Sequence, residues 1–140
     1  MDTNTALAIA TEAHRGQADK SGVDYIHHPM RIASNFAHDS DESVVALLHD
    51  VLEDTNWTLD DLFDEGLSQV QADALVAITH LNNEPNVDYI ARVKRNSLAT
   101  RVKLADLDDN SSPERMRNLD EATQERLQAK YDRAYAQLLA

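Results

Sequence analysis

Apolar residues recur every three or four positions along most of this chain, and this spacing limits the fold more than any other feature. Such a period places them on one face of an α-helix, whereas no segment shows the strict alternation of a half-buried strand. Only three glycines and three prolines occur in 140 residues, so few tight turns are expected. Aromatic residues make up 5% of the chain, which also disfavours sheets. The sequence therefore predicts an all-α fold.

The helical pattern divides into eight segments separated by short polar loops. Pro29 suits the first turn of a helix, and Thr58, with an acid three residues later, has the form of an N-terminal cap. Gly66 is expected to end the short helix that Thr58 begins. The predicted helices cover residues 5–16, 29–38, 40–52, 58–66, 68–80, 87–95, 98–108 and 113–139. We expect a single domain, residues 1–140, of about seven or eight helices.

The net charge of −12 restricts the partners of the chain, because no basic stripe with interleaved aromatic residues offsets it. An acidic surface repels a phosphate backbone, so polymeric nucleic acid is disfavoured. A small anionic substrate stays compatible, since a bound cation and a few local lysines or arginines can reverse the field inside a cleft. No run of about 18 apolar residues, signal peptide or cysteine is present. We therefore expect a cytoplasmic protein without membrane spans, disulfides or thiolate metal sites.

The pair His49-Asp50 lies in the most apolar segment of the chain, between Leu48 and Val51. Adjacent side chains on a helix project about 100° apart, so both can reach one ion at the edge of a buried face. Burying an ionisable pair is costly unless something satisfies it. On its own, however, the pair is better explained as a hydrogen-bonded core histidine.

Two other patterns carry side chains of similar chemistry. Lys103, Asp106 and Asn110 are spaced i, i+3 and i+7, which places a cation, a carboxylate and an amide on one helical stripe. His28 directly precedes Pro29, where a fixed backbone can direct its ring into the fold. Taken singly, these patterns also fit an ordinary amphipathic helix and an ordinary helix-entry loop.

Together the three patterns supply two imidazoles and two carboxylates, from His28, His49, Asp50 and Asp106. Nitrogen and oxygen donors without sulfur suit manganese, iron, cobalt or zinc, and suit magnesium less well. Two carboxylates balance the charge of a divalent ion, and four ligands leave positions for water and a phosphate oxygen. The combination predicts a catalytic site for a divalent metal.

The same stretches resemble the HD superfamily of phosphohydrolases, most closely the alarmone-hydrolase domain of RelA/SpoT proteins and small stand-alone hydrolases. The resemblance extends over about residues 5–112, in matching order and spacing. It rests on a His-Pro, a His-Asp that leads into Glu-Asp-Thr, and a Lys-Leu-Ala-Asp. The matching stretches are residues 14–17, 20–22, 25–29, 46–55 and 102–106, with Asn110. An HD-type helical domain built around a metal site is therefore implied.

The resemblance also implies a role for each matching side chain. His28, His49, Asp50 and Asp106 would bind one metal ion, usually manganese, with iron, cobalt, zinc or magnesium as alternatives. Glu53 and Asp54 match the acidic pair that positions or activates the attacking water. The matches to substrate-contacting positions are Lys20, Ser21 and Asn110, with Arg15 and Lys103 as weaker phosphate-contact candidates. The implied reaction is removal of the 3′-diphosphate from the nucleotide ppGpp.

Two departures concern the nucleotide rather than the metal. Alarmone hydrolases usually carry an arginine just before the Lys-Ser-Gly stretch, packed on the guanine ring, and this chain has Asp19 there. The usual Arg-Leu-His-Asn after the last metal ligand is Leu-Asp-Asp-Asn, ending at Asn110. Since an acid cannot replace a stacking cation, two alternatives stay open. One is hydrolysis of another nucleotide or phosphomonoester, and the other is a nucleotide-binding module without turnover.

Overall fold

The computed structural model describes all 140 residues, and its only regular elements are helices. In chain order they are α1 (Thr3–Ala13), α2 (His27–Ala33), α3 (Asp41–Leu48), α4 (Val51–Asp54), α5 (Leu59–Asp64), α6 (Gln69–Ile78), α7 (Asn86–Lys94), α8 (Ser97–Asn110), α9 (Pro113–Met116) and α10 (Glu121–Leu139). Helices α4 and α9 are single turns of four residues, and the other eight have six or more. An isolated bridge joins Ala18 to Asp24. The all-α prediction is confirmed.

Helices α3 and α8 form the centre of the fold. Every residue of α3 from Ser43 to Leu48 is buried, and the helix packs against α1, α2, α6 and α8. Helix α8 in turn contacts α2, α6, α7 and α10. Large apolar side chains fill the space between these helices, among them Ile32, Leu48, Leu62, Leu75 and Ile90. No helix combines the length and apolar character that a membrane crossing requires.

Local sequence signals explain where several helices begin and end. At the start of α5, the Thr58 hydroxyl accepts from the N–H of Asp61 at 3.2 Å, and the Asp61 carboxylate accepts from the N–H of Thr58 at 3.0 Å. Ser68 and Gln71 form the same reciprocal capping box at the start of α6. Gly66, just beyond α5, has φ +97°, a conformation that glycine adopts without steric cost. The predicted start and end of this helix are confirmed.

The segment 40–52 is not the single helix that its apolar pattern predicted. Helix α3 ends at Leu48 because Asp50 adopts φ −105° and ψ 0°, outside the helical region. His49 Nδ1 lies 2.7 Å from the Ala46 carbonyl oxygen and donates to it, although a continuing helix would offer that oxygen to the N–H of Asp50. Both predicted metal ligands of this segment therefore lie at a junction between two helices rather than on a regular helix face.

The segment 113–139 is also interrupted. The Asp120 carboxylate accepts from the N–H of Thr123 at 2.7 Å, and this cap begins α10 as a separate helix. Residues 117–120 therefore form a corner between α9 and α10.

The predicted helix 29–38 begins and ends earlier than its pattern indicated. Helix α2 starts at His27, so that Pro29 lies in its first turn, where no N–H is needed. It ends at Ala33, because the Asn35 side-chain amide donates to the carbonyls of residues 31 and 32, each at 3.2 Å. That side chain takes the acceptors that another helical turn would have used.

Candidate metal centre and active site

Two histidines and an aspartate meet where α2, α3 and α8 pack together. His28 lies in α2, His49 directly follows α3, and Asp106 lies in α8. All three are at least 96% buried, and their ligand-type atoms lie within 4.8 Å of one another. Asp106 Oδ1 lies 2.9 Å from His28 Nε2 and 3.5 Å from His49 Nε2. The fold thus gathers three residues that are up to 78 positions apart in the sequence.

A second group, formed by Asp50, Glu53 and Asp54, lies beside the first. One carboxylate oxygen from each of these residues lies within 4.8 Å of the others. Asp50 connects this second group to the first one, since its Oδ2 lies 3.0 Å from His49 Nε2. The Tyr25 hydroxyl donates to the same carboxylate. The short α4 thus presents its acids next to the buried histidine pair.

The hydrogen bonds of His49 leave one ring nitrogen without a partner. Because Nδ1 donates to the Ala46 carbonyl, the proton of the neutral ring is assigned to Nδ1, and Nε2 carries a lone pair. Nε2 is buried and has no hydrogen-bond partner. Nevertheless it faces oxygens of both Asp50 and Asp106. A lone pair that faces two carboxyl groups is stabilised when a proton or a metal cation lies among them.

The ionisation of the two carboxylates supports the same interpretation. Burial, together with the negative charge of Asp106, raises the pKa of Asp50 well above its ordinary value. Burial alone would raise the pKa of Asp106 as well, but the positive charge of Lys103 holds it well below the ordinary value. The Lys103 ammonium lies 2.9 Å from Asp106 Oδ2 and offsets only part of this charge. A divalent cation would offset the rest, and the nitrogen and oxygen donors fit one.

The first cavity opens directly beside this centre and has a volume of about 210 Å³. His49, Asp50 and Glu53 form one wall, and Lys103 lies in another. Partial burial and the neighbouring Asp54 raise the pKa of Glu53, so its carboxylate is more basic than that of an isolated glutamate. The other residues around the cavity are Ile78, His80, Asn86, Tyr89, Ile90, Leu107, Asn110, Lys130, Tyr131 and Ala134.

A second cavity of about 270 Å³ lies on the other side of Asn110 and Tyr131, which line both spaces. Lys20 and Ser21 contribute to its rim, and Leu127 to its apolar floor. Asp19 lies here too, and its Oδ1 accepts from the backbone N–H groups of residues 21 and 23 at 2.8 and 3.0 Å. Two cavities that share two side chains can hold one elongated ligand.

The structure places most, but not all, of the predicted substrate-binding and catalytic residues along the two cavities. Lys103 and Glu53 line the first cavity, Lys20 and Ser21 line the second, and Asn110 lines both. Asp54 joins the acidic group without lining either cavity, and both Glu53 and Asp54 are exposed. Arg15 lies outside both cavities and pairs with Glu12 at 2.8 Å, with 75% of its side chain exposed.

Four residues near the site were not found from the sequence. His80 and Lys130 line the first cavity, and Arg115 lines the second. Asp109 lies behind His28, with its Oδ2 2.6 Å from Nδ1 of that ring. For Asp109 a signal existed, because it lies three residues after Asp106 and so on the same side of α8. The other three come from loops and helices whose packing the sequence pattern did not specify.

Comparison with known proteins finds similarity over nearly the whole chain. The family model described as an HD domain matches residues 6–140. A guanosine-3′,5′-bis(diphosphate) 3′-pyrophosphohydrolase of Haemophilus influenzae is 47% identical over 60 residues, which are 41% of this chain and 9% of that protein. The enzyme of the same name from Borreliella burgdorferi is 38% identical over 85 residues, 56% of this chain and 13% of that protein. The chain thus spans about a tenth of the length of these curated relatives.

A solved structure shares the fold over nearly the whole chain. It is that of a metazoan orthologue of SpoT, which hydrolyses ppGpp, and it superimposes with a TM-score of 0.82 at 20% identity. The match covers 97% of this chain and 84% of the other. Since the family model covers all but the first five residues, the chain belongs to the HD domain family.

Proposed function

We propose that this protein is a metal-dependent phosphohydrolase that removes the 3′-diphosphate of ppGpp. The observation that carries the proposal is the buried group of His28, His49 and Asp106, joined through Asp50 to Glu53, which lines a cavity, and to Asp54 beside it. The names of the relatives from Haemophilus influenzae and Borreliella burgdorferi support the substrate. Water would add to the 3′-phosphoryl group, the bond to the ribose oxygen would break, and GDP and diphosphate would leave.

Four side chains would hold the metal: His28, His49, Asp50 and Asp106. Manganese is the proposed ion, because the donors are nitrogen and oxygen without sulfur and because manganese is usual in the alarmone hydrolases that the sequence resembles. When bound, such an ion polarises a phosphoryl group and makes a neighbouring water more acidic. His28 and His49 would bind the ion through neutral nitrogens, so the two carboxylates would balance its charge.

The residues around the ligands supply the rest of the proposed chemistry. Glu53 would take the proton of the attacking water, since its raised pKa suits a base, and Asp54 would orient that water. Lys103 remains protonated, because Asp106 and Tyr89 raise its pKa despite its burial, and it would offset phosphate charge in the first cavity. Arg15, which is exposed and remote from both cavities, has no part in this mechanism.

The two cavities suggest how the substrate would lie. The diphosphate would occupy the first cavity, the nucleoside would enter the second beside Lys20 and Ser21, and Asn110 would contact both parts. Asp19 at the second cavity favours one alternative, a phosphorylated compound with a different base or none. That compound would be hydrolysed by the same metal centre and the same Glu53.

A substrate panel tests the proposal. Metal-free protein is loaded with manganese and incubated with ppGpp, other nucleotides and simple phosphomonoesters, and the products are separated by anion-exchange chromatography. We expect GDP and diphosphate from ppGpp, at a rate well above that of any other compound. Preferred turnover of a different compound would keep the metal chemistry and refute the alarmone assignment, and no turnover at all would favour a binding module.

A substitution of Glu53 tests its role as the base. Glu53→Gln keeps the shape of the side chain but cannot take a proton, so kcat is expected to fall by about 10²- to 10⁴-fold. The affinity for manganese should stay within a few-fold of wild type, because Glu53 is not among the proposed ligands. Thr58→Ala, which removes a helix cap outside both cavities, serves as the matched control and should retain kcat.

A further inference from the structure

The Nδ1 side of the His28 ring is in contact with a carboxylate. Asp109 Oδ2 lies 2.6 Å from His28 Nδ1, while Nε2 of the same ring faces Asp106 Oδ1 at 2.9 Å. His28 is 97% buried, so few other groups can reach Nδ1. Asp109 lines neither cavity, and a direct contact with substrate is therefore not its role.

Two arginines hold the Asp109 carboxylate in place. Arg31 donates from Nε to Oδ1 at 2.7 Å and from Nη2 to Oδ2 at 3.0 Å, a bidentate pair with fixed geometry. Arg115 Nη1 adds a longer contact to Oδ2 at 3.4 Å. The Asp109 carboxylate is thus held by two arginines against one nitrogen of His28.

The position of the proton on His28 decides whether its ring can bind a metal. If Nδ1 carries the proton and donates to Asp109, Nε2 has a free lone pair. Arg115 Nη1, however, also lies 2.8 Å from Nδ1, and a guanidinium can only donate. If Arg115 donates to Nδ1, the proton must move to Nε2, where it would donate to Asp106 and block metal binding. The two neighbours of Nδ1 therefore favour opposite states of the ring.

We propose that Asp109 is the positioning residue of His28, fixing its proton on Nδ1 against the competing Arg115 and so presenting Nε2 to the metal. This inference rests on the metal site of the proposed function. A carboxylate behind a metal-binding imidazole fixes the ring and makes the free nitrogen more basic, and its loss typically weakens metal binding 10- to 100-fold. We expect a weakening of metal binding near the upper end of this range. Without Asp109, the Nδ1 atom of His28 would accept a hydrogen bond from Arg115, which favours the ring state that cannot bind a metal through Nε2.

Calorimetric titration of the metal-free protein with manganese, in the absence of any substrate, tests the inference. Asp109→Ala is expected to weaken manganese binding about 100-fold. Asp109→Asn, which keeps an oxygen that can accept from Nδ1, should restore part of that loss. The matched control is Asp108→Ala, which removes the exposed neighbouring acid that accepts from the Tyr135 hydroxyl and should leave the affinity unchanged.

Substitution of Arg115 provides a second test of the inference, which does not depend on the folding of a single variant. Arg115→Ala removes the competing donor, so this change in the Asp109→Ala background should strengthen manganese binding at least several-fold. Far-UV circular dichroism confirms that each variant is folded before it is titrated. Wild-type affinity in Asp109→Ala and Asp109→Asn, or equal affinity of the single and double variants, would overturn the inference.

The result of the manganese titrations can be distinguished from the result of the test for ppGpp hydrolysis. A wild-type protein that binds manganese tightly but hydrolyses no ppGpp would refute the substrate and leave the role of Asp109 testable by affinity alone. A wild-type protein that hydrolyses ppGpp, with Asp109→Ala unaffected in manganese affinity, would refute only the inference about Asp109.

Discussion

Arg92 is expected to contribute to stability far more than its position near the surface indicates. Its side chain is 25% exposed and reaches back to the end of α6. Nη1 donates to the carbonyls of Val76 and Ala77 at 2.8 and 2.9 Å, and Nη2 donates to the carbonyl of Thr79 at 3.0 Å. The last carbonyls of a helix have no partner within it, and a cation there also complements the helix dipole.

Replacing Arg92 with alanine removes these three hydrogen bonds and also the ion pair with Glu84 at 2.6 Å. Each is worth about 0.5–1.5 kcal/mol net, and partial exposure lets water replace some of them. We therefore expect the free energy of unfolding to fall by about 2 kcal/mol. The same change should weaken substrate turnover, because the segment that follows α6 carries His80 into the wall of the first cavity.

Urea denaturation of the metal-free protein measures this loss, with Arg92→Lys and Arg101→Ala as controls. Lysine keeps the charge but cannot reach three carbonyls with a planar fork, so it should recover less than half of the loss. Arg101 makes one exposed ion pair with Glu42 at 2.8 Å, and its removal should cost less than about 1 kcal/mol. A loss below about 0.5 kcal/mol for Arg92→Ala would refute the reasoning, since the hydrogen bonds would then contribute no more than solvation by water.

Other predictions follow from the core, the caps and the surface charges. Leu48→Ala removes a fully buried side chain next to the proposed metal ligands and should lower the free energy of unfolding by about 2–5 kcal/mol in urea denaturation, whereas a loss under about 1 kcal/mol would contradict the packing. Thr58→Ala should cost about 1 kcal/mol in the same assay, because the N–H of Asp61 loses its partner, and an unchanged midpoint would argue against the capping box. The Arg101 guanidinium lowers the pKa of Glu42 below its ordinary 4.5, so the stability that this pair provides is complete above that pH and disappears as the pH falls through the lower, folded-state value. The stability gap between wild type and Glu42→Gln should therefore close on acidification, and a gap that persists at low pH would refute the pairing.

Periodicity was sufficient to predict the all-α class, because a pattern of three to four residues over most of a chain leaves no other way to bury its apolar side chains. Eight of the ten helices correspond to predicted segments. The breaks before Val51 and after Met116 were missed for a common physical reason. In both, a side chain competes for backbone hydrogen bonds, His49 for a carbonyl and Asp120 for an N–H, and apolar spacing is not sensitive to such bonds.

The sequence could suggest which side chains would bind a metal, and that assignment stays a prediction, but it could not give their geometry. Helical geometry led us to expect His49 and Asp50 side by side on one helix, whereas they lie at the break between α3 and α4. Which nitrogen of His49 is free depends on its bond to the Ala46 carbonyl, which exists only because the helix ends there. Asp109 and Arg115 were missed because their role depends on the packing of α2 against α8 and α9, across more than 80 residues of sequence.

The most direct test of the account is the metal content of the protein at equilibrium. Metal-free wild type and the variants His49→Ala and Asp106→Ala are dialysed against manganese, and bound metal is determined by inductively coupled plasma mass spectrometry. The account predicts one ion per folded wild-type chain and a fraction of that in each variant. Wild type without bound metal, or either variant with a full equivalent, would contradict the claim that these side chains form the metal centre.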